Sequence, residues 1–418
     1  MKKIKLKFNL LILVLLLLQP FVSPELFSGI VLMLDVYFII KYKKVYYKNI
    51  VPGFLIFFFF IFYGGMIALI NISSYRLKDI VRDIYYVVNA ISVLYLGFCI
   101  SKDNKPLQYK FNSIIMAAII IGLYTIIDFI AIRNDLSGIG EVNKLRREIS
   151  SANIYCCTLT IYLFIFTKRN KNSLNNMINL SAFLISLIAF IVSLSRTNLL
   201  ILGILTLVNI FYSSPKKFVK NVFITGFALI ISLIVFTYLL PNNIVSDYMD
   251  KILSSFTEIN SSNDWREPSV IQSNWRGYEN YCAIQELKNG TLFDIFFGFG
   301  YGKKVYVDFY ATSILGHLED GLPTNSIPVL HNGYFTMLIK NGIVGLVVYI
   351  SLFIKMLSKA KKKIYIEKRS FNSVFLFGLV LSMVVITYFL NGFFKDTYIL
   401  SIIILLPILF NYKPQNSI

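Results

Sequence analysis

Charged residues, histidine, cysteine and tryptophan are all scarce in this sequence. Of its 418 residues, 15% are charged and 56% are hydrophobic, whereas a soluble domain carries about 25% charged residues. The apolar residues come in long runs separated by short polar stretches, a pattern typical of a polytopic membrane protein. This composition excludes large soluble, disordered and collagen-like proteins. The four cysteines lack the spacing of a disulfide framework or a zinc site.

Motifs for nucleotide and metal chemistry are also absent from the sequence. It has no P-loop lysine motif, no Asp-x-Asp and no Gly-x-Ser-x-Gly. These absences argue against ATP hydrolysis, a metal-dependent nucleotide-sugar transferase and a nucleophile elbow. The chain has only two histidines, His317 and His331, so a metal site is not indicated. We therefore expect neither a cofactor nor a metal ion.

The apolar runs predict an all-α fold with about twelve transmembrane helices, because backbone polar groups in hydrocarbon must be satisfied within the segment. Several runs are at the short end of the roughly 20 residues that a span needs. The predicted helices are 8–22, 26–40, 50–70, 84–100, 111–132, 151–167, 177–194, 197–213, 221–240, 333–357, 371–390 and 397–411.

The loops between these helices alternate in charge. One set holds most of the basic residues and only two acidic ones, Asp103 and Glu367. A basic bias of short loops marks the cytoplasmic side, which predicts that both termini are cytoplasmic. The net charge of +19 then reflects topology and contact with anionic lipid. We expect the lipid bilayer, and no nucleic acid, as a partner.

The alternation divides the chain into three regions. Residues 1–240 form a nine-helix membrane region, 241–332 a large external loop domain, and 333–418 a three-helix membrane region. Within the loop domain, a helix is predicted near 274–288, ended by Asn289-Gly290. Asn341-Gly342 can break the tenth helix, leaving 332–340 as a short external helix that brings Lys340 near the membrane interface.

Two arginines are candidates for binding phosphate on the external side. Arg196 lies in Ser193-Leu194-Ser195-Arg196-Thr197, which joins two apolar runs with almost no loop. It can snorkel to lipid headgroups or grip a phosphate through two parallel hydrogen bonds. Arg276, in the predicted loop helix, is either a solvated arginine or a second phosphate clamp.

Three further residues fall on the same predicted side. Arg146 and Arg147 enter the sixth helix, where they form an interfacial charge cluster or add positive charge to the same cavity. His331 begins His331-Asn332-Gly333-Tyr334 at the start of the tenth helix. It either caps or packs at that helix, or it acts as a general base or a pyrophosphate ligand.

Arginines gathered at headgroup level indicate an anionic, lipid-borne substrate, for which a diphosphate is a natural match. Chemistry outside the cytoplasm needs a donor that arrives already activated. A polyprenyl-diphosphate sugar meets this need, since arginines can neutralise the diphosphate as it leaves.

These features resemble the superfamily of O-antigen ligases and Wzy-type polymerases of bacterial surface polysaccharides. The resemblance covers about residues 145–357 and rests on short motifs in the family's order. They are Ser193-Leu194-Ser195-Arg196-Thr197, Phe297-Gly298-Phe299-Gly300, His331-Asn332-Gly333-Tyr334 and Leu338-Ile339-Lys340-Asn341-Gly342-Ile343-Val344-Gly345. Lys340 departs from the family pattern, which often has an acid shortly before the glycine.

The resemblance implies inverting glycosyl transfer from undecaprenyl diphosphate, without metal or nucleotide sugar, in a bacterial inner membrane. It implies catalytic roles for His331, Arg276 and Arg196, with Arg146 and Arg147 also at the diphosphate. It implies support of the substrate or loop by Asn332, Tyr334, Gly298 and Gly300. Donor and acceptor would be undecaprenyl-diphosphate-linked oligosaccharides, and a flippase and a chain-length regulator would be possible partners.

Three functions remain open on the sequence. The first is a polymerase of O-antigen or capsular repeat units, favoured because the Lys-, Asn-, Ile- and Phe-rich composition suits a variable polysaccharide locus. The second is a ligase that transfers the glycan to lipid A core. The third is a transporter or flippase, disfavoured because the long loop between helices nine and ten breaks a six-plus-six symmetry.

Overall fold

The computed structural model describes most of the chain. The described residues are 8–46, 50–103, 106–132, 154–167, 173–213, 219, 226, 238, 242–254, 265–267, 270–271, 274–307, 318–319, 322–323, 325–394 and 399–412. Within them the fold is helical, with two short antiparallel ladders. The predicted all-α class is therefore confirmed for this part of the chain.

Fourteen α-helices follow one another in the described part. They are α1 (Phe8–Leu18), α2 (Pro24–Tyr42), α3 (Leu55–Ile70), α4 (Leu77–Ser101), α5 (Leu107–Ile132), α6 (Tyr155–Phe166), α7 (Ser173–Val192), α8 (Arg196–Tyr212), α9 (Asn242–Ser254), α10 (Trp275–Asn289), α11 (Leu292–Phe297), α12 (Gly333–Ile366), α13 (Phe371–Leu390) and α14 (Leu400–Asn411). Strands β1 (Val305–Tyr306) and β4 (Ser326–Ile327) pair, as do β2 (Leu318–Glu319) and β3 (Leu322–Pro323).

Twelve membrane spans are not confirmed. Among the described helices, only α4, α5, α12 and α13 are both long and apolar enough to cross a membrane. Six other apolar helices have 10–17 residues, fewer than the roughly 20 that a span needs. The predicted helix 221–240 lies outside the described residues except for 226 and 238.

The core lies between helices that pack closely through small residues. In α4, Gly97 meets the backbone of Ile404 in α14, where a Cβ would lie 2.7 Å from the Ile404 carbonyl oxygen. Gly378 of α13 packs against Leu205 of α8, and Val374 of α13 clusters with Val208. Helices α8 and α13 therefore run antiparallel, with the start of α8 level with the end of α13.

The stretch after α8 contains the helix that the sequence predicted near 274–288. This helix, α10, ends where Gly290 donates its backbone N–H to the Leu287 carbonyl. A capping box between Thr291 and Asp294 then starts α11, which satisfies backbone N–H groups at that turn. Helix α9 was not predicted, because its sequence is too polar for the hydropathy pattern to reveal it.

Candidate functional site

His331 is held by the carboxylate of Glu279 in α10. The backbone N–H of His331 donates to Glu279 Oε2 at 2.8 Å, and the imidazole Nδ1 lies 2.8 Å from Glu279 Oε1. The indole Nε1 of Trp275, one helical turn away, donates to the same Oε1 at 2.6 Å. The Glu279 side chain is 2% exposed and that of His331 36% exposed. A buried acid thus holds a histidine that solvent can reach.

The residues after His331 begin α12 and fix the direction of the chain. Asn332 is the N-cap, and its side-chain oxygen accepts from the backbone N–H groups of Tyr334 and Phe335. Such a cap stabilises a helix by about 1 kcal/mol. The Tyr334 hydroxyl donates to the Val384 carbonyl of α13 at 2.8 Å. Asn332 and Tyr334 therefore fix this turn locally, and their support of a substrate or of the loop stays a prediction.

The end of α13 contacts this turn. Asn391 donates its backbone N–H to the His331 carbonyl at 2.8 Å. A Cβ on Gly333 would lie 2.8–2.9 Å from atoms of Asn391, so only glycine fits there without a shift. His331 is thereby fixed from two sides, by α10 and by the end of α13.

The two candidate arginines lie on helices that reach the same end of α13. The Arg276 guanidinium stands over the ring of Phe389 at 5.8 Å, a distance that suits cation–π attraction. Arg196 is the first residue of α8, capped by the Ser195 hydroxyl, and the antiparallel packing brings it level with the last turn of α13. Both arginines are half-buried.

Helix α12 is broken at Gly342, as the sequence predicted. Gly342 has φ 63° and ψ −167° inside the helix, a conformation that glycine adopts readily. Because of the break, two backbone carbonyls of α12 accept hydrogen bonds from residues outside the helix. Phe299 N–H donates to the Ile339 carbonyl and Gly300 N–H to the Lys340 carbonyl, both at 2.9 Å. We call residues 333–341 the half-helix and residues 298–302 the glycine segment.

Gly298 and Gly300 of the glycine segment contact protein backbone. A Cβ on Gly298 would lie 2.5 Å from Gly342 N, and one on Gly300 would lie 2.6 Å from Ala68 N. Both have φ near 85°. Only glycine permits so close an approach of the two backbones. Support of a substrate by these residues stays a prediction.

Tyrosines anchor the glycine segment to α3 and to the start of α4. Tyr301 donates its hydroxyl to the Phe60 carbonyl at 2.9 Å, and Tyr75 donates to the Phe299 carbonyl at 3.0 Å. Burial raises the pKa of both phenols, that of Tyr75 to about 12. Both hydroxyls therefore remain protonated donors at neutral pH.

Lys340 is buried in the protein, and its predicted place near the membrane interface stays a prediction. Its ammonium lies 2.6 Å from Asp83 Oδ2 in α4, and it also contacts the Lys303 carbonyl. Asp83 Oδ2 accepts the Gly302 N–H at 2.7 Å as well. The end of the half-helix is thus tied to α4 through the glycine segment, which explains how a lysine is accommodated there.

The structure brings some of the predicted residues near one another and shows contacts of residues that were not predicted. His331 contacts Glu279 of α10, and Arg276 lies one turn earlier on that helix, while Arg146 and Arg147 lie outside the described residues. Glu279 and Asp83 were missed by the sequence reasoning. For Glu279, the available signal was its place one helical turn after both Trp275 and Arg276. For Asp83, no local signal existed, because its partner lies 257 residues away.

The arrangement offers acid–base and anion-binding groups. Across the ranges described above, no cluster of three or more His, Cys, Asp or Glu side chains is suited to a metal ion. A carboxylate-held imidazole can accept or donate a proton. Arginines nearby can neutralise a leaving diphosphate.

Residues 181–350 match the model of the O-antigen ligase family. The matched segment runs from α7 into α12 and includes Arg196, Arg276, Glu279 and His331. No curated protein matches the chain.

Proposed function

We propose that the chain, whose residues 181–350 match the model of the O-antigen ligase family, polymerises lipid-linked oligosaccharide repeat units. The match supports a membrane enzyme of the O-antigen ligase and polymerase type that acts on lipid-linked glycans. The proposed substrates are undecaprenyl-diphosphate oligosaccharides for O-antigen or capsular polysaccharide. The Lys-, Asn-, Ile- and Phe-rich composition favours a polymerase. A ligase that transfers the glycan to lipid A core is the second candidate, favoured by the description of the matched family.

One observation carries the proposal. Glu279 joins His331 to α10 at 2.8 Å, and Arg276 lies one turn earlier on the same helix. Helix α10 therefore positions both a proton-transfer group, His331, and an anion-binding group, Arg276. This is the combination that a glycosyl transfer from a diphosphate needs, since the acceptor hydroxyl loses a proton while the leaving group gains negative charge.

In the proposed reaction, Arg196 and Arg276 bind the donor diphosphate and stabilise the charge that develops on it. The acceptor hydroxyl attacks the anomeric carbon from the opposite face. The new glycosidic C–O bond forms as the C–O bond to the diphosphate breaks, and the electron pair leaves with undecaprenyl diphosphate. His331 receives the hydroxyl proton or assists the diphosphate, and Arg146 and Arg147 add positive charge to the same site. The residues perform these roles without a metal or nucleotide sugar.

The proposed topology follows the charge of the loops. Twelve spans would place both termini in the cytoplasm and the site on the external face of the bacterial inner membrane, where shorter helices span by local thinning of the bilayer. Residues 1–240 and 333–418 would be the membrane regions, and 241–332 the external domain. A flippase would supply the substrate, and a chain-length regulator would act on the product.

The first test is the surface glycan profile of cells that lack this chain, on a gel that separates lipid-linked from acceptor-linked glycans. Acceptors that carry a single repeat unit, with no ladder, support a polymerase. Full-length polymer on undecaprenyl diphosphate with bare acceptor supports the ligase instead. An unchanged ladder contradicts both.

The same cells, complemented with variants, test the site. Arg276→Ala and His331→Ala should each abolish the ladder while the chain accumulates normally. Lys288→Ala, in the last turn of the same helix, is the matched control and should restore the wild-type ladder. Full assembly with Arg276→Ala or His331→Ala would contradict the site as drawn.

A further inference from the structure

We infer that Glu279 is the positioning residue that commits His331 to act as the base on the acceptor hydroxyl. This inference rests on the proposed function and decides between the two roles left open for His331. It follows from the hydrogen bonds around the carboxylate, the burial of the pair and the charge that the pair presents to a substrate.

The hydrogen bonds fix where the proton of the imidazole resides. Glu279 Oε2 accepts the backbone N–H of His331, and Oε1 accepts the indole N–H of Trp275. Both groups can only donate, so they favour the ionised carboxylate. An ionised carboxylate can only accept, and the contact with His331 Nδ1 at 2.8 Å therefore requires a proton on Nδ1. The neutral ring then carries its lone pair on Nε2.

The imidazole of His331 is accessible to a substrate, whereas the carboxylate of Glu279 is buried. The side chain of Glu279 is 2% exposed, and that of His331 is 36% exposed. The carboxylate thus cannot itself meet a bulky glycan, whereas the imidazole can. The backbone hydrogen bond from Asn391 to the His331 carbonyl fixes the main chain from which the ring extends.

The charge of the pair disfavours the alternative role. With the ring neutral, the Glu279–His331 pair carries one negative charge, which repels a diphosphate. With the ring protonated, the pair is neutral and offers little attraction. Arg276, one turn away on α10, supplies the permanent positive charge, because arginine stays protonated at any relevant pH. Anion binding therefore belongs to the arginine, and proton transfer to the histidine.

The proton balance of the step is then complete. The acceptor O–H proton moves to His331 Nε2 as the glycosidic bond forms, and the imidazolium is stabilised by Glu279. The electron pair of the broken C–O bond leaves with the diphosphate. The proton then passes from Nε2 to the diphosphate or to water, which restores the neutral ring.

The test combines a spectroscopic and a kinetic measurement on the purified full chain. Because the sequence has two histidines, ¹⁵N-histidine labelling gives two imidazoles, and His317→Gln assigns the spectrum. At neutral pH, we expect His331 to be protonated on Nδ1 in the wild type and to lose this preference in Glu279→Gln. Transfer is measured with polyprenyl-diphosphate oligosaccharides extracted from cells lacking the chain.

Glu279→Gln should lower kcat about 100-fold, within the range of general-base catalysis, while KM for the donor changes less than about 3-fold. Glu279→Asp should recover part of kcat. Glu286→Gln, two turns later on the same helix and paired with Lys303 at 2.7 Å, is the matched control and should keep wild-type kinetics.

Several outcomes would overturn the inference. These are a wild-type kcat in Glu279→Gln, a raised donor KM with unchanged kcat, or Nε2 protonation of His331 in the wild type. If Glu279→Gln does not fold, Glu279→Asp supplies the kinetic comparison, because its shorter side chain weakens the contact with Nδ1 and should lower kcat to a smaller extent. Failure of the proposed function looks different, because the folded wild-type chain would then transfer no glycan.

Discussion

Two adjacent glycines in α3 provide a sharp test of how the glycine segment docks. A Cβ on Gly64 would lie 2.5 Å from Cζ of Tyr301 and 2.8 Å from Oδ1 of Asn341, whereas a Cβ on Gly65 would meet nothing within 4 Å. Tyr301 also donates its backbone N–H to the Gly64 carbonyl at 3.3 Å. Gly64→Ala must therefore displace the Tyr301 ring, and Gly65→Ala displaces nothing.

The expected difference in the free energy of unfolding comes from the effects that only one of the two variants has. Each replaces a helical glycine by alanine, which stabilises a helix by about 1 kcal/mol. Only Gly64→Ala overpacks the core, at a cost of about 1–3 kcal/mol. Losing the Tyr301–Phe60 hydrogen bond costs about 1 kcal/mol more. The two variants should thus differ by about 2–4 kcal/mol in the free energy of unfolding.

The assay is unfolding of the purified chain in detergent, followed by its intrinsic fluorescence, together with complementation of the glycan ladder. Gly65→Ala should match or exceed the stability of the wild type and restore the ladder. Gly64→Ala should be less stable and form less ladder, because Tyr301 anchors the segment that caps the half-helix. Equal effects of the two substitutions would refute this reasoning.

Three further substitutions probe the same assembly. Lys340→Met should cost about 3–5 kcal/mol of stability, because it removes the ammonium partner of the buried Asp83 and leaves the Arg82 guanidinium, whose Nε lies 3.6 Å from Oδ1, as the charged partner. Adding Asp83→Asn should recover part of this loss in denaturant unfolding, and no recovery would refute the pairing. Gly342→Ala should lower accumulation of the chain on immunoblots, through about 1–3 kcal/mol of backbone strain and a clash with the Phe296 carbonyl; normal accumulation would contradict the break. Tyr75→Phe should cost about 1 kcal/mol. Burial raises the pKa of Tyr75 to about 12, so the hydrogen bond of its hydroxyl stabilises the fold below pH 10 and is lost as the pH approaches 12. Between pH 10 and 12, the free energy of unfolding of Tyr75→Phe should therefore fall less steeply than that of the wild type.

Hydropathy predicted the helices well because each apolar run is a local property of the chain. Helix α13 has the predicted bounds of 371–390, and the break of α12 at Gly342 was readable from Asn341-Gly342. Span number was less predictable, since length and composition alone leave helices such as α6, with 12 residues, short of a bilayer. Helix α9 has no long apolar run, only an apolar face at helical spacing that includes Ile244, Tyr248 and Ile252, so hydropathy alone did not reveal it.

The candidate site was predictable only where a short motif carried the chemistry. His331 and Arg276 stood out because histidine is scarce and because arginine suits phosphate. Glu279 carried no such mark, and its importance depends on a contact 52 residues away along the chain. The pair of Asp83 and Lys340 likewise depends on how α4, the glycine segment and α12 pack, which residue spacing does not encode.

Glycosyl transfer at His331 is measured most directly with the purified chain and extracted polyprenyl-diphosphate repeat units. We expect the wild type to produce longer polyprenyl-linked glycans and free undecaprenyl diphosphate, in the presence of a metal chelator and without nucleotide sugars. We expect neither product with His331→Ala. Equal product from both proteins, or none from a folded wild type, would contradict glycosyl transfer at His331.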